Sequence, residues 1–168
     1  DGGVYTPATV LTEVDLVDVT LDLLQDPSTS QATTTSILDS LNTKSGWYII
    51  LHEFYGEKAL SSPVVFYGVV YYTTFTPTFG SESDVCYLGE GTGRMYALRY
   101  KTGNAAFNMD GSLDGAVTRS DRALVIGTSI PSGVIVTFIG GTATAYVGVG
   151  GGVGRPPLPD TRRIRPIN

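Results

Sequence analysis

The stretch "NMDGSLDG", Asn108 to Gly115, sets oxygen-bearing residues at alternate positions around glycines. A calcium loop needs that pattern, because a hard cation is wrapped by oxygens while glycine lets the chain turn sharply; Asn108, Asp110, the Ser112 carbonyl and Asp114 meet the spacing. Against the standard twelve-residue loop, position 1 falls on Ala106 and position 12 on Val117, so two anionic ligands are missing. The loop is therefore a degenerate calcium candidate. The competing reading is an Asp/Gly turn between strands, whose polar side chains cap their own backbone.

The remaining chemistry is sparse. His52 is the sole histidine, placed by the alternation of "WYIILHEF" on one strand face with Ile50 and Phe54, so neither a Ser-His-Asp set nor a multi-histidine metal site is visible. Cys86 is the sole cysteine, which excludes a disulfide within the chain and leaves pairing with a partner or the role of a small apolar residue. The glycine runs "GEGTGR" and "GVGGGVG" lack the Lys-Ser/Thr of a phosphate loop and open no helix, so they read as close-packed or bulged strand ends. Tyr71, Tyr72, Phe75 and Phe79 gather about "TTFTPTFG". Tyr72, Phe75 and Phe79, with Cys86, are the candidates for a contact surface, in competition with ordinary burial of one sheet face.

Composition limits the setting for these residues. A chain of 168 residues, 42% of them hydrophobic, suffices for a core, and its 21 Gly and 10 Tyr among runs of Val, Ile and Thr favour strands and tight turns. A net charge of -5 repels phosphate backbones, and Arg155, Arg162, Arg163 and Arg165 are too few to make a groove for nucleic acid. No apolar run has the length of a transmembrane helix. The start at Asp1, without Met or a charged apolar leader, reads as a processed or excised end.

Three regions follow. Residues 1–45 are expected to be helical: "TEVDLVDVTLDLLQDP" carries a capping-box spacing at Thr12 and Asp15, with Val14, Val17, Leu21 and Leu24 at helical intervals before Pro27, and a second helix spans about Gln31 to Asn42. Residues 46–154 read as antiparallel strands, namely Trp47 to Phe54, Pro63 to Pro77, Arg94 to Tyr100, Arg122 to Thr128 and Gly133 to Gly150, with hairpin turns at Tyr67-Gly68 and Gly140-Gly141. Residues 155–168 form a Pro/Arg-rich extended tail. The fold class is mainly β. Two strands, a loop, and a third strand entered through "GTGRMYALRY" and closed by "KTG" have the spacing of a propeller blade, and there is material for about two blades.

The ordered series "GWYIILHEFYGEKALSSPVVFYGVVYYTTFTPT", "CYLGEGTGRMYALRYKTGNAAF", "RALVIGTSIPSGVIV" and "TAYVGVGGGV" resembles the carboxyl-terminal part of the PilY-type pilus-assembly proteins, tip-associated adhesins of type IV pili. The resemblance covers about residues 45 to 154. It implies an exported, non-enzymatic cell-surface protein with a C-terminal β-propeller that promotes pilus assembly, adhesion and twitching motility. It also implies a fuller acidic calcium loop near Asn108, which makes Asp121 a replacement ligand in a rearranged site. Two blades leave raw sheet edges, so the expected partners are the remainder of a larger PilY-type protein, or pilin and other filament subunits, completing those edges. Other readings are a fragment of a quinoprotein-like dehydrogenase propeller, suggested by the blade repeat, and a structural subunit that joins a filament by strand addition.

Overall fold

The structure is a computed structural model, and it describes residues 10–78, 90–109, 116–139 and 142–159. It is mainly β, built mostly from antiparallel sheets, and the described residues contain one α-helix and no closed barrel. The central five-stranded sheet contains β3 (Lys58–Ala59), β4 (Val64–Phe66), β5 (Val69–Thr76), β6 (Thr92–Arg99) and β7 (Ala123–Gly127). β5 pairs with β6 along its whole length, from Val69 opposite Arg99 to Thr76 opposite Thr92, and β6 in turn pairs with β7. β3 and β4 share the other side of β5. The β4–β5 connection is the expected two-residue hairpin, with Tyr67 at φ 45° and Gly68 at φ 81°; two successive positive φ values match the twist of the paired strands.

A second sheet holds β8 (Ile135–Ile139), β9 (Thr142–Val149) and β10 (Gly152–Gly154). The register runs from Ile139 opposite Thr142 to Ile135 opposite Tyr146; the turn residues between them lie outside the described residues. "GVGGGVG" holds the end of β9 and the strand β10, joined by a hairpin turn at Gly150-Gly151, φ 54° and 82°.

The core sits between the two sheets. Val69 and Tyr71 of β5 and Met95 and Ala97 of β6 face Val134, Ala145 and Val147, with Leu124, Ile126 and Leu158 packed around them. Neither face of β6 is wet: Tyr96 and Leu98 are also buried, because the N-terminal segment and the loop after β2 (Trp47–Tyr48) cover the opposite side.

The expected helix over Thr12 to Leu24 does not form. Asp15 accepts from Thr12 N and Oγ1, both at 2.9 Å, as the capping spacing predicts, but only a 3-10 turn, Glu13–Asp15, follows. The chain then extends as β1 (Val17–Asp18), parallel to β2. Two local causes are visible. Asp18 accepts from Thr20 N at 2.9 Å, a turn that competes with helical bonding, and Asp22 adopts φ 54°, outside the right-handed helix. The second expected helix is present as α1 (Gln31–Thr43), capped by Ser30 Oγ, which accepts from Thr33 N at 3.1 Å. "WYIILHEF" is likewise shorter than a strand reading implies, ending at Tyr48. Past it, Ile50 N donates to Thr20 Oγ1 and His52 N folds back onto the Ile50 carbonyl.

Candidate functional site

On the sheet face opposite the core, a cleft of about 590 Å³ opens between β6, β7 and the loop 49–54. Its volume lies within the range of small-molecule sites. Alternation builds its floor: residues two apart on a strand share a face, so Arg94 and Tyr96 of β6 and Ala123 and Val125 of β7 point into it while their neighbours enter the core.

Glu57 closes the inner end. It is 4% exposed, and its Oε1 accepts from Thr74 Oγ1 at 2.6 Å and from Tyr96 Oη at 3.1 Å. Oε2 is buried and has no hydrogen-bond partner among the described residues. Tyr72 stacks on Tyr96, ring centroids 4.7 Å apart and planes 7° from parallel. Burial first, and then Glu57, pushes both phenols above the ordinary tyrosine value, so each stays protonated and Tyr96 remains a donor.

Three arginines surround this group, each held differently. The Arg94 guanidinium lies 3.5 Å over the Phe54 ring, and its Nη1 donates to Thr76 Oγ1 at 2.8 Å. Arg122 is structural: it donates from Nη1 to the Thr20 carbonyl at 2.9 Å and from Nη2 to the Val19 carbonyl at 2.7 Å, while Nε lies 3.2 Å from Asp22 Oδ2. Asp22 also accepts from Asn104 Nδ2 at 2.5 Å. Burial pushes the Asp22 carboxyl above the usual carboxylate value, an effect that the Arg122 charge and the Asn104 bond partly offset. Arg119 pairs with Glu53 at the cleft's outer rim, where both side chains meet solvent.

The residues singled out from sequence sit elsewhere. Asn108 Nδ2 donates to the Ala116 carbonyl at 3.0 Å, an arrangement that spans the base of the proposed calcium loop; Asp110, Ser112 and Asp114 lie outside the described residues. Asp121 is fully buried and accepts from Met109 N at 2.7 Å and Thr118 N at 2.8 Å, which ties the loop's two ends together. Among the described residues, no three His, Cys, Asp or Glu come together as a metal site. Tyr72 is taken up by its stack on Tyr96, and the Phe75 ring packs over Gly91, where an added Cβ would lie 2.0 Å from it. Phe79 and Cys86 lie outside the described residues. His52 is exposed in the cleft wall, its Nδ1 3.0 Å from the Ile50 carbonyl.

Glu57, Arg94, Arg122 and Asp22 were not singled out. Glu57 and Tyr96 are 39 residues apart, and only sheet pairing joins them. The available signal was a charge in an otherwise apolar strand, Arg94 in "GRMYALRY" and Arg122 in "DRALVIG".

Protein-family models, curated proteins and solved structures were all compared with this chain, and none matches it.

Proposed function

We propose that this chain is a non-enzymatic, exported contact module of the PilY-type kind, acting through protein contacts in type IV pilus assembly, tip adhesion or filament association. The observation that carries the reading is the state of the sheet edges. Among the described residues, β7 pairs on one side only, with β6, and β8 only with β9. Both edges display large apolar side chains to solvent: Val125 is 60% exposed, Ile135 64% and Phe138 64%. An open strand carrying exposed apolar groups is a template for another strand, so natural proteins cover it or use it for assembly. The face-to-face packing of the two sheets is also how successive propeller blades meet.

The test is the mass of the native assembly by light scattering, with peptide mass spectrometry of all that co-elutes. Co-elution with further PilY-type sequence or with pilins is the expected result. A stable monomer of 17.8 kDa, or normal filament assembly, adhesion and motility in cells lacking the chain, would overturn the reading.

A further inference from the structure

The cleft over Glu57 shares Val125 with the open edge at β7 but lies on the sheet face, and its chemistry points to a ligand of another kind. A buried acceptor without a donor is uncommon, since leaving one unmade costs about 1 to 3 kcal/mol. Glu57 Oε2 is such an acceptor; its partner oxygen has two donors while it has none among the described residues. The walls shield it from bulk water; Glu57 forms part of the cleft lining, and a donor entering the cleft meets Oε2 once the lining side chains give way.

The charges around it narrow the class of ligand. Arg94, Arg119 and Arg122 are balanced by Glu53 and Glu57 in the lining and by Asp22 behind Arg122. An anion would meet the unpaired carboxyl oxygen, and a cation would meet Arg94, whose only hydrogen bond to a described residue is the one to Thr76. A neutral ligand escapes both penalties. It must donate to Glu57 while accepting from guanidinium N–H groups, and adjacent hydroxyls do this because each oxygen is both donor and acceptor. The position on a sheet face argues the same way. A peptide read by its backbone adds at a strand edge, where N–H and C=O groups are free; a face offers side chains, which suit a compact ligand bringing its own donors and acceptors. Ile49, Ile50 and Phe54 supply apolar wall for the C–H surface of a ring.

We propose that this cleft binds a neutral polyhydroxylated ligand, a sugar ring, with Glu57 accepting from one hydroxyl and Arg94 donating to its neighbour. The experiment is saturation-transfer NMR and calorimetry on the full chain with glucose, galactose, mannose and N-acetylglucosamine as probes. At least one is expected to bind. Glu57→Gln should weaken that binding roughly tenfold or more, the loss of a hydrogen bond to a charged group. Val125→Trp alters an exposed side chain at the cleft mouth and should block binding while the melting curve stays unchanged, which keeps the test valid even where Glu57→Gln unfolds the protein. The proposal is overturned if none of the four sugars binds, if Val125→Trp leaves binding intact, or if a folded Glu57→Gln binds as tightly as the parent. The assembly-mass experiment above is independent of these outcomes.

Discussion

Arg122 Nε lies 3.2 Å from Asp22 Oδ2, and both side chains are almost wholly enclosed, so residues 100 apart in sequence are joined by a buried ion pair. The pair ties the N-terminal segment to the start of β7, because the same guanidinium holds the Thr20 and Val19 carbonyls. Removing one member leaves the other charge buried without its partner. Arg122→Met is therefore expected to destabilise the protein by about 3 to 5 kcal/mol, measured by urea unfolding.

The same pair sets a pH dependence. Burial raises the Asp22 carboxyl above its unfolded value, so the folded state binds the proton more tightly than the unfolded chain does. Stability from this group is then fully present below the unfolded value, about pH 4, and declines as pH rises toward the raised one. Asp22→Asn removes the titration and keeps a residue type that tolerates φ 54°. The stability of the parent minus that of Asp22→Asn should fall as pH increases across this window. Subtraction cancels Asp15, Asp18 and Asp26, whose carboxyls hydrogen bonds hold low and whose contributions run the opposite way. A difference that stays level or rises would refute the assignment.

Gly103, in the "KTG" turn after β6, has φ 68°, and a Cβ there would lie 2.6 Å from Val19 Cγ2 and 3.0 Å from Trp47. Backbone strain and overpacking add at this position. Gly103→Ala is expected to cost about 2 to 4 kcal/mol, of which roughly half is the left-handed conformation and the rest the clash. Thermal unfolding checks it, with Gly151→Ala as the control: φ is 82° there and nothing lies within 4 Å, so only the conformational part should appear.

These positions show what was legible in the sequence. The Tyr67-Gly68 hairpin, the run of β5 and β6 and the helix α1 are local matters, written in turn chemistry and in the periods of strand and helix, and the structure contains them. The helix expected over Thr12 to Leu24 failed for local reasons, the Asp18 turn and the positive φ of Asp22, reinforced by one that is not local. Val19 and Asp22 are buried, Asp22 by Arg122 and Asn104, and those contacts outweigh a helical period in a segment whose Asp and β-branched residues favour helix only weakly. The cleft was illegible for the same cause. Its acceptor comes from a loop, its donors from β5 and β6, and no motif links positions that only the sheet register brings together.

Tyr71 is fully buried in the core, and its Oη donates to the Pro157 carbonyl at 2.9 Å, fastening the chain beyond β10 to the sheet beside Leu158. Tyr71→Phe keeps the ring and strands that carbonyl. The expected loss is about 1 to 2 kcal/mol in urea unfolding, with faster hydrogen exchange at the Leu158 amide than at amides of β5. Unchanged Leu158 exchange would mean that ring packing alone holds the segment.

The open edges make the last prediction, and it separates assembly from folding. Val125 and Phe138 project into solvent from β7 and β8, so replacing them costs the isolated fold little, within about 0.5 kcal/mol for surface positions. A lysine at an edge strand opposes the addition of another strand, because pairing would bury its charge. Val125→Lys with Phe138→Lys is thus expected to leave the melting temperature nearly unchanged while abolishing the larger assembly in light scattering. If instead the double variant assembles as the parent does, the partner contacts lie elsewhere on the surface. If it unfolds, both strands are sealed within this chain's own fold, and the edge-based reading of its function fails with them.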